Sequence, residues 1–178
     1  MRTPFFLTTV TLIISACGVA PSDNTAQEPV VVNKISSSAS LDSLFTKADA
    51  EKIMGEPGHL TDNSIKRNPG VVIHYDAYAA NVEGAKMAHV YFLIEQFDES
   101  SAAKNKYAST KKSNEGHDGI NTLDSLGDEA YFHSDGENFH FIMVRKGAWL
   151  FSMKVSKITA TTSVDEFNRV AKRITAEL

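Results

Sequence analysis

The sequence predicts an α+β domain, an antiparallel sheet of about five or six strands covered by helices on both faces. Three observations carry that expectation. From Tyr131 to Val155 the chain reads as consecutive hairpins apolar on both faces, and such a sheet has to be covered on both. Val164, Phe167, Val170, Ile174 and Leu178 recur at helical spacing. Between the ends, the order is helix, two strands, helix, three strands, helix.

The first helix starts at Thr46, whose hydroxyl suits an N-cap with Asp49 three residues on, and stops at Gly55. Its apolar side is thin: Ala50, Ile53 and Met54. VVIHYDAYA (Val71 to Ala79) and MAHVYFLIEQF (Met87 to Phe97) read as strands around the loop NVEGAK, which contains Gly84. Asp98 opens a second helix, ESSAAKNKYASTKK, with acid at its start and Lys111 and Lys112 at its end, as the helix dipole favours. Ala103 and Tyr107 share one face of it. A long polar loop follows, SNEGHDGINTLDSLGD.

In YFHSDGENFHFIMV, Asp135-Gly136 predicts a two-residue hairpin turn. That register sets Phe132 opposite Phe139 and Tyr131 opposite His140, and it puts His133 and His140 on one face. A second turn at Lys146-Gly147 sets Val144 opposite Trp149 and Ile142 opposite Phe151. One face then carries Ile142, Val144, Trp149, Phe151, Met153 and Val155. The other carries Phe132, Phe139, Phe141, Met143 and Leu150. The last helix opens with Ser163 and Glu166 as a capping box.

The order of elements, with GDEAYF ahead of an apolar hairpin, resembles the PsbP-like sandwich that also occurs in actinobacterial lipoproteins of the LpqN kind, a group of uncharacterised function. A fainter resemblance rests on Thr46 to Pro57, TKADAEKIMGEP. It is similar to the helix and G-x-P turn of the small lipoprotein BamE and of β-lactamase inhibitor proteins, and implies an assembly or inhibitor module. The helix expected after Phe97 departs from that simpler pattern.

The amino terminus has the layout of an export signal. Arg2 and the start amine precede an apolar run, Phe5 to Ile14, of about ten residues, where a bilayer span needs about twenty. Small residues lead to Cys17, the one cysteine in the chain, which leaves it no disulfide partner within the chain. Ile14-Ser15-Ala16-Cys17 resembles the bacterial lipobox. The resemblance implies that residues 1–16 are removed and that Cys17 carries a thioether-linked diacylglycerol and an acylated amine. Gly18 in place of Asp implies, by the enteric sorting rule, the outer membrane, facing the periplasm or the surface.

Residues 17–40 read as a flexible tether rich in Pro, Ser and small polar residues. As a coil, such a segment reaches roughly 27 Å. Residues 41–178 then form a single domain, held together by apolar burial without disulfides.

The chain has 18 basic and 22 acidic residues and a net charge of −4, with no basic patch, which argues against a nucleic-acid partner. The expected partners are the membrane, through Cys17, and an envelope protein or small ligand. No P-loop, G-x-S-x-G, H-E-x-x-H or G-x-G-x-x-G occurs. No catalytic, cofactor or metal residues are therefore assigned.

Four weaker groupings remain. Of the six histidines, His59, His74, His89, His117, His133 and His140, the pair His133 and His140 flanks a turn with Asp135 and Glu137. Zinc needs three or four converging ligands, so this pair falls short. His117-Asp118 in the glycine-rich loop would suit a hydrolase only with a nucleophile the sequence does not identify. Asp128 and Glu129 suggest split carboxyl pKa values, but neighbours on a strand point to opposite faces. Gly127 and Asp128 are therefore read as the turn into a strand whose Ala130 and Phe132 enter the core. Tyr75, Tyr78, Tyr91, Tyr131 and Trp149 either line a small-ligand cleft or belong to the core and its rim.

Overall fold

The computed structural model describes residue 41, residues 43–82 and residues 87–178. Cys17, the lipobox, the tether and Gly84 of the first strand loop lie outside the described residues. The described elements run α1 (Lys47–Met54), β1 (Gly58–Asn68), β2 (Val71–Ala80), β3 (His89–Phe97), α2 (Ser100–Asn114), β4 (Ile120–Thr122), β5 (Glu129–Ser134), β6 (Phe139–Lys146), β7 (Trp149–Ser156) and α3 (Val164–Glu177).

The fold is α+β, with one open antiparallel sheet in the order β1-β2-β3-β7-β6-β5-β4. Two meanders, β1 to β3 and β4 to β7, are joined where β7 pairs with β3. Seven strands replace the expected five or six. The additions are β1 and the short β4, which falls inside the stretch read as a polar loop.

Strand β1 escaped the pattern because it is a polar edge strand: Leu60 and Ile65 are its large apolar side chains, and both are exposed. Its ladder with β2 supplies the pairing that burial does not, and a register shift between Leu60 and Asp62 interrupts it. Asn68 pairs with Val71 across Pro69-Gly70, where Gly70 takes a φ of 82°. Proline followed by a positive-φ glycine is a type II turn, and that dipeptide was the available signal for β1.

Alternation along β3 and β7 divides the sheet. Val90, Phe92, Ile94, Phe151, Met153 and Val155 face one side, together with Ile142 and Val144 of β6, and all are buried. Ala50, Ile53 and Met54 of α1 and Phe167, Val170 and Ile174 of α3 pack into the same cluster. Thr46 and Asp49 form a reciprocal capping box on α1, and Gly55 ends it with a φ of 71°. A methyl group at Gly55 would lie 2.1 Å from the Thr161 carbonyl oxygen, so glycine is required there by both conformation and space. Arg173 of α3 donates to Asp49 Oδ2 at 2.9 Å and to the Leu44 carbonyl at 2.9 Å, tying the two helices together. Ser163 caps α3 by accepting from the Glu166 N–H, while the Glu166 carboxylate turns to Arg169 instead of completing the box.

On the second face, Tyr107 of α2 packs with Tyr131, Met143 and Leu150. Ala103 and Tyr107 are the buried residues of α2, and its main contacts are with the central strands β3, β7 and β6. The helix starts at Ser100 with Glu99 as N-cap, slightly later than expected, and carries Lys111 and Lys112 in its last turn.

Both hairpin registers differ from expectation. Ser134 pairs with His140 and Phe132 with Ile142, because Asp135 organises a longer loop. Its carboxylate accepts from the backbone N–H of Asn138 at 2.7 Å and of Glu137 and Phe139 at 3.1 Å each. Those bonds hold its pKa well below the usual carboxylate range, the Asn138 backbone N–H foremost. The change moves Phe132 to the first face and places His133 and His140 on opposite faces. At the second turn Lys146 pairs with Trp149, so Val144 faces Phe151. A shift of two residues keeps each side chain on its expected face.

Phe92 is fully buried at the β3–β7 seam, stacked on Phe45 and close to Phe151. Phe92→Ala is expected to cost about 3–5 kcal/mol in urea unfolding. Ile65→Ala on the exposed edge should change stability by less than about 0.5 kcal/mol. Similar losses at both positions would mean that the seam is not the core.

Candidate functional site

The second face carries a groove of about 400 Å³ on its β1–β2–β3 side. Three cross-strand rows build it. Lys66, Ile73 and Glu95 stand in one; Ser64, Tyr75 and Leu93 in the next; Asp62, Ala77 and Tyr91 in the third. On β7 these rows end at Leu150, Ser152 and Lys154. Two other described concavities, beside the end of α1 and around Gly127, are more open to solvent.

Ile73, Tyr75, Tyr91 and Leu93 are half-buried, so an apolar and aromatic surface remains accessible there. The Tyr75 and Tyr91 rings stack with centroids 6.5 Å apart, and His89 stacks on Tyr91 at 6.1 Å. Burial raises the Tyr75 hydroxyl pKa, helped by Tyr91 and Asp62. Burial lowers that of His89, with Lys157 and His59 adding to the shift.

Glu95 sets the electrostatics of the groove. Its residue exposure is 8%, although its carboxyl lines the concavity. Among the described residues no side-chain hydrogen bond or ion pair reaches it. Burial therefore raises its pKa, opposed by the charge of Lys106 on α2.

Of the aromatics proposed for a cleft, Tyr75 and Tyr91 do come together on this face. Tyr78 and Trp149 belong to the core of the first face. Tyr131 lies beneath α2 against Tyr107, whose own hydroxyl pKa is pushed up to about 12, mainly by burial. The rows thus select two of the five.

The other groupings resolve differently. His140 is buried on the first face, its Nδ1 2.8 Å from Ser134 Oγ, and burial lowers its pKa. His133 stands on the second face, edge-on to Phe139 at 4.9 Å and stacked on His117 at 5.9 Å. The two histidines cannot share a metal, and among the described residues no group of three or more His, Cys, Asp or Glu converges. His117 and Asp118 are exposed, and the ring contact of His117 is with His133.

Asp128 and Glu129 meet through Arg145, with Nη1 to Asp128 at 2.8 Å and Nε to Glu129 at 2.6 Å. Asp128 also accepts from the Gly147 N–H at 2.8 Å. Gly127, at a φ of 65°, turns the chain into β5, and Ala130 is buried while Phe132 packs against the core. The turn reading of this segment holds, with Arg145 as the partner the sequence did not reveal. His74 and Asp76, buried on the first face, pair at 2.7 Å, and Asn63 of β1 donates to Asp76 at 2.6 Å.

Asp62, Ser64, Lys66 and Glu95 went unrecognised as site residues. The first three sit on the strand that hydropathy missed. Glu95 was legible in principle, as an acid in line with Tyr91 and Leu93 on a strand otherwise apolar. No helix among the described residues is long and apolar enough to cross a membrane. In comparisons with protein-family models, curated proteins and solved structures, the chain has no match.

The raised pKa of Glu95 carries a pH signature. Its carboxyl holds a proton more tightly folded than unfolded, where the ordinary value is 4.5. The stabilisation from that proton is full below the unfolded value and is lost as pH rises through the folded one. Glu95→Gln stays neutral, so it should unfold at a similar urea midpoint to the wild type near pH 4 and at a higher one at pH 7.5. Parallel pH profiles would place the Glu95 carboxyl in water.

Proposed function

We propose that the protein is a lipid-anchored bacterial envelope lipoprotein whose domain is a non-enzymatic binding module, with the groove on the second face as its binding surface. The observation that carries the binding part is the half-buried patch of Ile73, Tyr75, Tyr91 and Leu93 beside a concave polar rim. Apolar and aromatic side chains with a few placed polar groups are the usual composition of ligand sites. Support for the anchor is the lipobox-like Ile14-Ser15-Ala16-Cys17 and the apolar run before it. A myristoyl chain alone holds only marginally, whereas the two or three chains of a bacterial lipoprotein give a stable anchor.

The PsbP-like reading rests on the sequence, on GDEAYF ahead of an apolar hairpin, and the tether read from residues 17–40 would let the domain work clear of the headgroups. The groove side chains come from β1, β2 and β3, so an occupant would lie across three strands and bridge the edge of the sheet to its centre.

Full-length protein expressed in a lipidating host should sediment with membranes and carry diacylglycerol mass on the peptide beginning at Cys17. The Cys17→Ser form should lose that mass. A wild-type chain recovered soluble and unmodified would contradict the anchor.

A further inference from the structure

We propose that the groove binds a small organic cation, an ammonium group on an apolar body, with Glu95 as its counter-ion and Tyr75 as its π-face. This deepens the binding-face reading and rests on it. A glutamate with 8% residue exposure and no side-chain partner among the described residues is an unusual thing to find lining an open concavity. Buried carboxylates are normally paired, because an isolated charge in a poorly polarisable site is costly. Among the described residues Glu95 has no pairing group, and the groove provides the room for one.

The surroundings fit a cation with a greasy body. Ile73, in the row of Glu95, and Leu93, in the row of Tyr75, provide apolar walls. The Tyr75 ring stacks near Tyr91 at 6.5 Å, and an ammonium over a tyrosine face is attracted to its quadrupole. Asp62 adds a second acid at the rim. The charged and titratable groups facing Glu95 are Lys106 from α2, Lys66 and Asp62 from β1, Tyr75 from β2, and Tyr91 on its own strand. On β7 Leu150 stands directly opposite Glu95, while Lys154, two rows along and opposite Tyr91, has its ammonium over the Phe139 ring. None is in ion-pair contact with it. Among the described lining residues Lys66 is the one cation, outnumbered by two acids, which disfavours an anionic occupant.

Binding is coupled to a proton. An ammonium favours the ionised carboxylate, so at a pH where the free site is protonated its arrival releases the proton from Glu95. Affinity therefore rises with pH through the titration of the free site and levels off above it.

The test follows the Glu95 side-chain carboxyl resonance by carbon NMR in full-length lipidated protein in micelles, with Glu95→Gln assigning the peak. Phenethylammonium is the probe, and phenethyl alcohol is its uncharged counterpart. The proposal expects a saturable shift towards the ionised carboxylate and a fall in the apparent pKa of Glu95. It also expects affinity for the ammonium about tenfold or more above the alcohol, and a loss of about two- to thirtyfold in Tyr75→Leu.

Equal affinity for the two probes, lost in Tyr75→Leu, would overturn the cation while leaving the groove a ligand site. No response to either probe would also overturn it. A photo-cross-linker at position 91 in the envelope then judges the wider reading: one reproducible protein adduct preserves a binding face, and none removes it.

Discussion

The pairing of β3 with β7 is the contact on which the rest of the molecule depends, because it joins two meanders into one sheet. On one side of that seam Val90, Phe92, Ile94, Phe151, Met153 and Val155 form a continuous apolar surface. Each large side chain buried there contributes about 1.5–3 kcal/mol. Helices α1 and α3 cover this surface and are fastened to one another through Arg173 and Asp49. The same pleat presents Tyr91, Leu93 and Glu95 on the opposite side. Core and groove are thus two faces of one alternation, and a one-residue register shift would exchange them.

The second face is uneven because α2 is seated by few side chains. Tyr107 engages Tyr131, Met143 and Leu150 near one end of the central strands. The rows that lead from there towards β1 replace large apolar residues by Tyr75, Ala77 and Ser64. Glu95 stands at the boundary between the two regions, opposite Leu150 on β7 and within the field of Lys106 on α2.

The sequence was most informative where burial is complete. The stripe of Phe167, Val170 and Ile174 and the alternation of β6 and β7 announced themselves because apolar burial leaves a periodic pattern. The caps at Thr46 and Gly55 were equally legible, since only a few residue types satisfy a helix end. β1 left no such trace: its backbone pairs while its side chains stay in water. The Asp135 loop misled for a different reason. Asp-Gly usually marks a two-residue turn, but here the carboxylate gathers three backbone donors and lengthens the loop. That single change reversed the side on which Phe132 and His133 were expected. Tyr75 and Tyr91 were visible as candidates, yet only the strand registers separate them from Tyr78 and Tyr131.

The five tyrosines of the chain allow the most direct test of the two-faced sheet. Nitration of the native, membrane-tethered protein, read by peptide mass spectrometry, compares their accessibility in one experiment. Tyr75 and Tyr91 should react, while Tyr78, Tyr107 and Tyr131 stay protected until the domain is unfolded. Protection of Tyr75 and Tyr91 to the level of Tyr131 would mean that the second face is closed, and would contradict a binding groove there.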